Sequence, residues 1–413
     1  MYLNFFLLAI NELFILKYCS RMMGGPIIAL VMLAYGLIAW MVVSRRPIIP
    51  RWTLMAALSL FCLSIVCLWW MIPPDQIQVD RWDAVYCWWQ KLFSGEYPWS
   101  ARTRFGGFCS PLPFLQLVCL PVAFTKHIGV LTLLIIALYG TFTIFRKNRA
   151  LATVTIFWLV LSPAVVWELL VHSTLMLNSF LFIPFFPLFQ RYPVWVSGSI
   201  AGLLASTRIS VLPLFLLVWI YPSIREKNAK VAFLFPTFCV LLAVLTLVPF
   251  IAGFGWNAFW AENPIVHQTN HMGMVYKVIL LLFSVLLGLY SARDIARQII
   301  SAGMITFLMG SFFILHGLET ESLSVLIFQS QVDISYLLFS FPFFLFSLRE
   351  QEKSDREMGL FRSFFPNFPR EVHLWKSLLR WSNPTALRLA SLAGSWNATK
   401  WPVSQSVVSK SNT

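Results

Sequence analysis

Two aspartates with regular spacing are the side chains in this sequence best suited to catalysis. Asp80 and Asp83 lie three residues apart, and Tyr86 follows at the same interval. On a helix this spacing places all three side chains on one face. A carboxylate held beside apolar and aromatic neighbours loses hydration, which makes it a better general base. The alternative is ion pairing on a wetted surface, for which the partners would be Arg81, Arg102 and Arg104.

The composition places these residues in a membrane protein. Of the 413 residues, 58% are hydrophobic and 12% are charged, whereas a soluble globular protein has about 25% charged residues. The apolar residues recur in runs long enough to cross a hydrocarbon layer about 30 Å thick. This pattern excludes an ordinary water-soluble enzyme and predicts an all-α, polytopic bundle of transmembrane helices.

Hydropathy predicts about 11 to 12 membrane spans. The apolar runs lie near residues 26–43, 52–72, 127–145, 151–167, 174–189, 193–206, 209–222, 231–253, 275–290, 298–317 and 322–347. Residues 1–16 would add the twelfth span, although Met22 and Met23 could equally be the start of the mature protein. The predicted transmembrane domain therefore covers residues 1–348.

The distribution of charge predicts the orientation. The net charge of +14 arises from 31 Lys and Arg against 17 Asp and Glu. In a soluble chain this would suggest nucleic acid, but here the basic residues cluster between apolar runs, as cytoplasmic loops do. We therefore predict a multi-pass protein of the cell membrane that binds no nucleic acid. The acids predicted outside are Asp75, Asp80, Asp83, Glu96, Glu168, Glu262, Glu319 and Glu321.

Two long outer segments are the parts of the chain free to carry a site, because the other connections are short. The first is the long extracytoplasmic loop 73–126, and the second is 254–274. This topology requires that residues 111–124, which contain three prolines, do not cross the membrane completely. If they do cross, the orientation of everything downstream is inverted.

The last residues, 349–413, form a predicted cytoplasmic tail with ten Lys or Arg, five Asp or Glu, and no spanning run. Residues 371–381 have the spacing of a basic amphipathic helix that would lie on the inner leaflet and bind membrane lipids. A poorly ordered tail is the equal alternative.

Short motifs between about residues 52 and 260 resemble a known superfamily. They are Asp83-x-x-Tyr86, Gly95-x-Tyr97-Pro98, a proline-containing segment that ends at Pro121, Ser162-Pro163, and the small residues from Ala201 to Thr207-Arg208. In this order, they resemble the GT-C superfamily of membrane glycosyltransferases, most closely the polyprenol-phosphate-mannose-dependent mannosyltransferases. The chain departs from that pattern at Cys109-Ser-Pro-Leu-Pro and at His172 to Asn178.

The resemblance implies an enzyme whose sugar donor is a polyprenyl phosphate and whose acceptor is a lipid or glycan hydroxyl at the outer face. It implies Asp83 as the general base, with Asp80 as the second catalytic candidate, and it implies no cofactor. Arg208 is the candidate for binding the lipid phosphate, unless its side chain extends outward to solvent. The other candidate substrate contacts are Tyr86, Tyr97, Arg102, Arg104, His172 and His267.

A metal site is not expected. His267 and His271 are four residues apart near Glu262, so a helix could direct both imidazoles to one metal ion. However, Asn263-Pro264 favours a loop and no third ligand is evident. His267 is therefore a candidate for acceptor contact or belongs to a solvated loop.

A polytopic transporter or lipid flippase is the alternative function. Asp333, Arg208 and the prolines within predicted spans are compatible with it. A transporter commonly has polar residues at the bilayer midplane in two matching halves, and no such repeat is visible. A polymerase or ligase of surface glycans is a third possibility.

Overall fold

The computed structural model of the chain describes residues 2–20, 23–77, 79–269, 272–320 and 333–348. These residues form an all-helical protein without strands, as predicted. The tail 349–413 with its predicted amphipathic helix, and His271, lie outside the described residues.

Seventeen named helices follow one another along the described ranges. The first eight are α1 Tyr2–Phe14, α2 Gly25–Arg45, α3 Arg51–Met71, α4 Arg81–Phe93, α5 Pro113–Ala123, α6 Gly129–Ile144, α7 Arg149–Val160 and α8 Pro163–Leu170. The others are α9 Leu175–Phe182, α10 Phe185–Arg191, α11 Val194–Ala205, α12 Leu212–Ile220, α13 Ala229–Phe254, α14 Trp256–Ala261, α15 Pro264–Thr269, α16 Met274–Ser291 and α17 Ile295–Thr320. Helix α1 continues as a π turn, Ile15–Cys19, and a 3-10 turn covers Ile334–Phe339.

Six helices within the described ranges are long and apolar enough to cross a membrane. They are α1 with its π turn, α2, α3, α13, α16 and α17. Helices α7 and α8 would make a seventh span, bent by 49°. The apolar runs 174–189, 193–206 and 209–222 form shorter helices, because Pro184 interrupts the first run and Pro193 and Arg208 lie where neighbouring runs are separated. The prediction of 11 to 12 spans is therefore not confirmed, whereas the membrane character of the chain is supported.

Helix α1 is part of the core. Its buried apolar residues are Leu3, Leu7, Ile10 and Phe14. Polar contacts join α1 to α7 and to the start of α8: Trp158 Nε1 donates to Asn4 Oδ1 at 2.8 Å, and Ser162 Oγ and the N–H of Ala164 donate to Asn11 Oδ1 at 2.6 and 3.2 Å. A chain that started at Met22 or Met23 would lose these contacts and expose the apolar surface beneath them.

Helix α5 is too short to cross a membrane alone. It has 11 residues, which corresponds to about 16 Å at 1.5 Å per residue, about half of a hydrocarbon layer. Its length agrees with the expectation that residues 111–124 do not cross completely. The backbone N–H groups of Leu112 and Phe114 donate to the carbonyls of Thr207 and Ser206, at 3.1 and 2.9 Å. These bonds place the first loop beside Arg208.

Two glycines allow α11 to approach α13 closely. A Cβ atom at Gly202 would lie 2.7 Å from Leu242 Cβ, and one at Gly198 would lie 3.0 Å from Phe238 Cβ. This four-residue spacing of glycines is the small-residue pattern that favours close helix packing in membranes. Because α11 ends just before Arg208, the contact also determines where Arg208 lies.

Replacing Gly202 with Val is expected to lower the unfolding free energy by about 2 kcal/mol or more, because α11 and α13 must separate to admit the side chain. Thermal unfolding in detergent would measure this as a lower Tm. Gly253→Val is the matched control, since no heavy atom lies within 4 Å of a Cβ at that position. Equal Tm values for the two variants would contradict close packing at Gly202.

Candidate functional site

A cavity of about 510 Å³ collects charged and aromatic side chains from separate parts of the chain. Its charged lining residues are Lys17, Asp80, Arg81, Arg208 and Asp333. Its aromatic lining residues are Tyr18, Phe105, Phe108, Trp167 and Tyr336. Three cations therefore face two carboxylates, and the lining has an excess of one positive charge. Such a cavity favours an anionic ligand with apolar or ring-shaped parts.

Arg208 is a buried cation of this cavity that makes one weak hydrogen bond to the described residues. Its side chain follows α11 and is 8% exposed, so it does not extend outward to solvent. One weak bond, from Nη2 to Thr174 Oγ1 at 3.4 Å, is found, and Nε has no partner among the described residues. A buried guanidinium with unused donors is costly unless an anion binds it.

Side chains from two other segments position the backbone around Arg208. Thr207 Oγ1 donates to Asn178 Oδ1 at 2.9 Å. Gln268, in α15, accepts from the N–H of Ile209 at 2.7 Å and donates to the carbonyl of Ser110. Gln268 thus connects both outer segments to the Arg208 region, a role that the sequence interpretation missed.

Arg81 and Asp333 form an ion pair in the cavity wall. Arg81 begins α4 and also donates from Nη1 to Ser173 Oγ at 3.3 Å. The other oxygen of Asp333, Oδ1, accepts from the N–H of Ser335 at 2.8 Å. The pair joins the start of the first outer loop to the last described segment of the chain.

The two aspartates have different surroundings. Asp80 lines the cavity, and its Oδ2 accepts from Thr103 Oγ1 at 2.6 Å. Asp83 is 5% exposed and is not among the lining residues. Its Oδ2 accepts from the N–H of Arg104 at 2.6 Å, and its Oδ1 accepts from Cys87 Sγ at 3.2 Å. Asp80 can therefore contact a ligand in the cavity, whereas both carboxylate oxygens of Asp83 accept hydrogen bonds from other residues of the protein.

Both aspartates hold the same tight hairpin, residues 102–108. The hairpin closes with an isolated antiparallel bridge between Arg102 and Phe108 and turns at Gly106, whose φ is +78°. A Cβ at Gly107 would lie 2.6 Å from Asp80 Oδ2, so a larger residue there would displace the Asp80 carboxylate. The hairpin brings Phe105 and Phe108 to the cavity.

Arg104 is engaged with the backbone that precedes α4. Its guanidinium donates to the carbonyls of Asp75 at 2.5 Å and of Pro74 and Val79 at 3.2 Å. It also lies over the ring of Trp82, 5.3 Å from the centroid. These contacts indicate a structural role, and Arg104 is not among the residues that line the cavity.

Arg102 and His267 meet behind the cavity residue Phe108. The Arg102 guanidinium lies 4.2 Å from the centre of the Phe108 ring, and the His267 ring stacks on it at 3.7 Å between centroids. Glu262 pairs with Arg102 at 2.6 Å and lies 3.4 Å from His267 Nε2. Arg102, Glu262 and His267 thus connect the two outer segments. None of these three residues lines the cavity.

The remaining predicted contacts also lie away from the cavity lining. Tyr86 accepts through its hydroxyl from Gln90 Nε2 at 2.7 Å. Tyr97 is buried and packs against Trp99 and Phe254, with ring centroids 5.6 and 5.8 Å away. The roles of Tyr86 and Tyr97 as substrate contacts stay predictions, because neither side chain lines the cavity.

His172 is fully buried in a separate aromatic cluster. Its ring centroid lies 4.9 Å from that of Trp69 and 5.0 Å from that of His127. Its backbone has the left-handed φ of +52°, and neither ring nitrogen has a hydrogen-bond partner within the described ranges. Burial, together with the nearby His127, lowers the pKa of His172 to about 3.

This histidine is expected to make the fold sensitive to acid. Because its folded pKa lies below the unfolded value of about 6.5, the unfolded chain binds more protons, and stability decreases as the pH falls from 6.5 toward 3. The expected loss between pH 7 and pH 5 is about 2 kcal/mol. Asn tolerates the left-handed backbone, so His172→Asn should reduce the fall in Tm over this range.

The matched control for acid sensitivity is His316→Asn, because the His316 side chain is partly exposed beside Glu319. This variant should keep the acid sensitivity of the wild-type protein. An unchanged fall in Tm in His172→Asn would contradict the assignment to His172.

No group of three or more His, Cys, Asp or Glu within the described ranges could hold a metal ion. The alternative of a metal ion bound by His267 and His271, which the sequence did not favour, is not tested, because His271 lies outside those ranges. Cys87 and Cys109, which share the first loop, are both free thiols.

Sequence interpretation missed the cavity residues Lys17, Tyr18, Trp167 and Tyr336. One signal was available, since Lys17 is the sole cation among residues 1–20 and follows an apolar run. A cation near a span is a functional candidate by default. The aromatic residues carried no comparable signal in a chain with this many rings.

Comparison of the chain with protein-family models, curated proteins and solved structures finds no match.

Proposed function

We propose that this chain is an integral membrane glycosyltransferase. It transfers a hexose, such as mannose, from a polyprenyl-phosphate sugar to a hydroxyl of a lipid or glycan at the extracytoplasmic face. The observation that carries the proposal is the single cavity lined by both Asp80 and Arg208. A carboxylate and a buried cation with unused donors are the groups that this transfer requires.

Arg208 is proposed to bind the phosphate of the donor. The phosphate carries the negative charge that develops as the sugar leaves, and a guanidinium can bind two of its oxygens at once. The Arg208 side chain is 8% exposed, so its attraction to a phosphate exceeds that of a fully exposed pair. Arg81 contributes less charge to a ligand, because Asp333 already pairs with it.

Asp80 is proposed as the general base, in preference to Asp83. Thr103 donates a hydrogen bond to Oδ2 of Asp80 and orients the carboxylate. The other oxygen, Oδ1, receives no hydrogen bond from the described residues, so it can accept the proton of the acceptor hydroxyl. Both oxygens of Asp83 are engaged with the 102–108 hairpin and Cys87. Asp83 would then act as a positioning residue for the hairpin that carries Phe105 and Phe108.

The reaction then proceeds by one balanced displacement. Asp80 takes the proton of the acceptor hydroxyl, and the acceptor oxygen forms a bond to the anomeric carbon of the donor sugar. The bond from that carbon to the phosphate oxygen breaks, and its electron pair leaves with the polyprenyl phosphate. Arg208 stabilises the departing charge.

A transporter or lipid flippase is the second candidate. The ion pair between Arg81 and Asp333 favours it, because paired charges within a membrane protein often mark a path for a charged solute. Transport alone would not require a carboxylate beside the acceptor, so loss of Asp80 should leave transport largely intact.

Transfer from labelled donors tests the proposal. Purified full-length protein in nanodiscs is incubated with radiolabelled polyprenyl-phosphate mannose or glucose and a membrane lipid extract, and labelled products are separated by thin-layer chromatography. We expect a labelled product from one donor. Absence of transfer from every donor, together with movement of labelled polyprenyl phosphate across protein-containing vesicles, would favour the transporter.

A further inference from the structure

The tip of the 102–108 hairpin presents an aromatic ring to the cavity beside Asp80. Phe105 lines the cavity and is 58% exposed. Asp80 lines the same cavity and is bonded to the hairpin through Thr103, at 2.6 Å. One ligand can therefore contact both the aromatic ring and the proposed general base.

Arg104 holds the Phe105 ring in place. Its guanidinium carbon lies over the ring, 4.9 Å from the centroid. The same guanidinium donates to three backbone carbonyls of the segment that precedes α4, those of Asp75, Ile77 and Val79. A cation on one face of a ring leaves the opposite face for another partner. A ring that is fixed in advance also loses little conformational entropy when a ligand binds.

Phe108, the other ring that the hairpin brings to the cavity, already has partners on the protein. It stacks on the His267 ring with 3.7 Å between centroids, and the Arg102 guanidinium carbon lies 4.2 Å from its centre. Of the two hairpin rings, Phe105 is thus the one that is better suited to contact a ligand.

Two cations of the cavity are held at a different segment. Arg81 Nη1 donates to Ser173 Oγ at 3.3 Å, and Arg208 Nη2 donates to Thr174 Oγ1 at 3.4 Å. Asp80, in contrast, is bonded to the hairpin. A donor phosphate at Arg208 would therefore lie near residues 173–174, and an acceptor at Asp80 would lie near the hairpin.

The surroundings of Asp80 suit a sugar ring better than an alkyl chain. Ile77 and Val79 line the cavity together with Phe105. A pyranose has a face of C–H groups that packs on an aromatic ring by dispersion, and it carries hydroxyl groups at its edge, one of which a carboxylate can deprotonate. An alkyl alcohol has no flat face that would match the ring.

We propose that Phe105 binds the acceptor and that the acceptor hydroxyl belongs to a sugar ring. This inference rests on the proposed function, and it selects a glycan or the sugar headgroup of a glycolipid over a simple lipid alcohol. Arg104 is then a positioning residue, because it acts on the acceptor through the Phe105 ring.

Transfer kinetics test the role of Phe105. The full chain in phosphatidylcholine nanodiscs receives the labelled donor that supports transfer and a dilution series of the membrane lipid extract, so that an apparent KM is obtained for the acceptor and for the donor separately. Phe105→Leu keeps an apolar side chain but removes the flat ring. We expect it to raise the acceptor KM about tenfold, the size of effect of one lost aromatic contact, and to leave the donor KM unchanged. Phe105→Tyr should retain the wild-type acceptor KM.

Phe93→Leu is the matched control, because Phe93 is 67% exposed in the same outer loop and does not line the cavity. This variant should change neither KM. If Phe105→Leu leaves the acceptor KM unchanged, or raises the donor KM as much, this inference fails while transfer by the wild-type protein still supports the proposed function. If the wild-type protein transfers no sugar, the proposed function fails and this inference fails with it.

The product that the wild-type protein makes identifies the acceptor class without any substitution. The labelled product is purified by thin-layer chromatography and fragmented in a tandem mass spectrometer. A fragment ion that contains the transferred hexose joined to a second sugar is expected. A hexose joined directly to glycerol or to a hydroxylated lipid chain would overturn the inference and leave the proposed function intact.

Discussion

The Asp80→Asn variant is expected to transfer sugar about 10²–10⁴-fold more slowly than the wild-type protein, which is the usual contribution of a general base. Asn has nearly the same shape and can still accept from Thr103 Oγ1 through its amide oxygen, as Asp80 does at 2.6 Å. The hairpin should therefore stay in place while proton transfer is lost. The measurement is kcat for labelled mannose transfer, with Tm as a check of folding.

Asp83→Asn is the decisive comparison. Its amide oxygen can accept just one of the two hydrogen bonds that Asp83 receives, from Arg104 N–H and Cys87 Sγ. We expect a lower Tm and a decrease in kcat below about tenfold, because the hairpin is loosened while the base is kept. Asp75→Asn, at an exposed residue paired with Lys126, should change neither quantity. Loss of activity in Asp83→Asn but not in Asp80→Asn would identify Asp83 as the base.

Replacing Arg208 with Gln is expected to lower kcat/KM about 10²–10³-fold, the size of effect found when a donor to a developing negative charge is removed. The kcat/KM of Arg208→Lys should lie between those of the wild-type protein and Arg208→Gln. An ammonium keeps the positive charge but cannot bind two phosphate oxygens at once, as a guanidinium does. Labelled transfer at donor concentrations far below KM measures this ratio directly.

Stability separates ligand binding by Arg208 from a structural role. Arg208 makes one hydrogen bond, at 3.4 Å, to a described residue, so its removal should not lower Tm in the absence of ligand. Arg191→Gln is the control, because Arg191 lies at the exposed end of α10. A large fall in Tm for Arg208→Gln with unchanged transfer by the folded fraction would show that Arg208 is structural.

The long apolar helices were the most predictable part of the fold. The runs 26–43, 52–72 and 231–253 correspond to α2, α3 and α13, with ends that differ by one or two residues. Each run is long and contains no Asp, Glu, Lys or Arg, and hydrophobicity over about 20 residues is a property of the local sequence.

The predicted spans were not confirmed where Pro and polar residues divide the apolar runs. The predicted span 174–189 became α9 and α10, of 8 and 7 residues. A hydropathy window averages over such breaks. The helix itself ends there, because proline lacks the N–H that continues the hydrogen-bond pattern of a helix. Thr174, which accepts a hydrogen bond from Arg208, immediately precedes α9, so a buried polar contact lies at one of these helix ends.

The sequence by itself determined that the chain is a helical membrane protein, and it identified Asp80, Asp83 and Arg208 as chemically suited residues. Residue type and local spacing carry that information. The tertiary structure alone decided that Asp80 and Arg208 share a cavity while Asp83 holds a hairpin, and that Lys17 and Asp333 complete the wall. Arg81 and Asp333 are 252 positions apart, and such partners meet only through the packing of helices and loops between them.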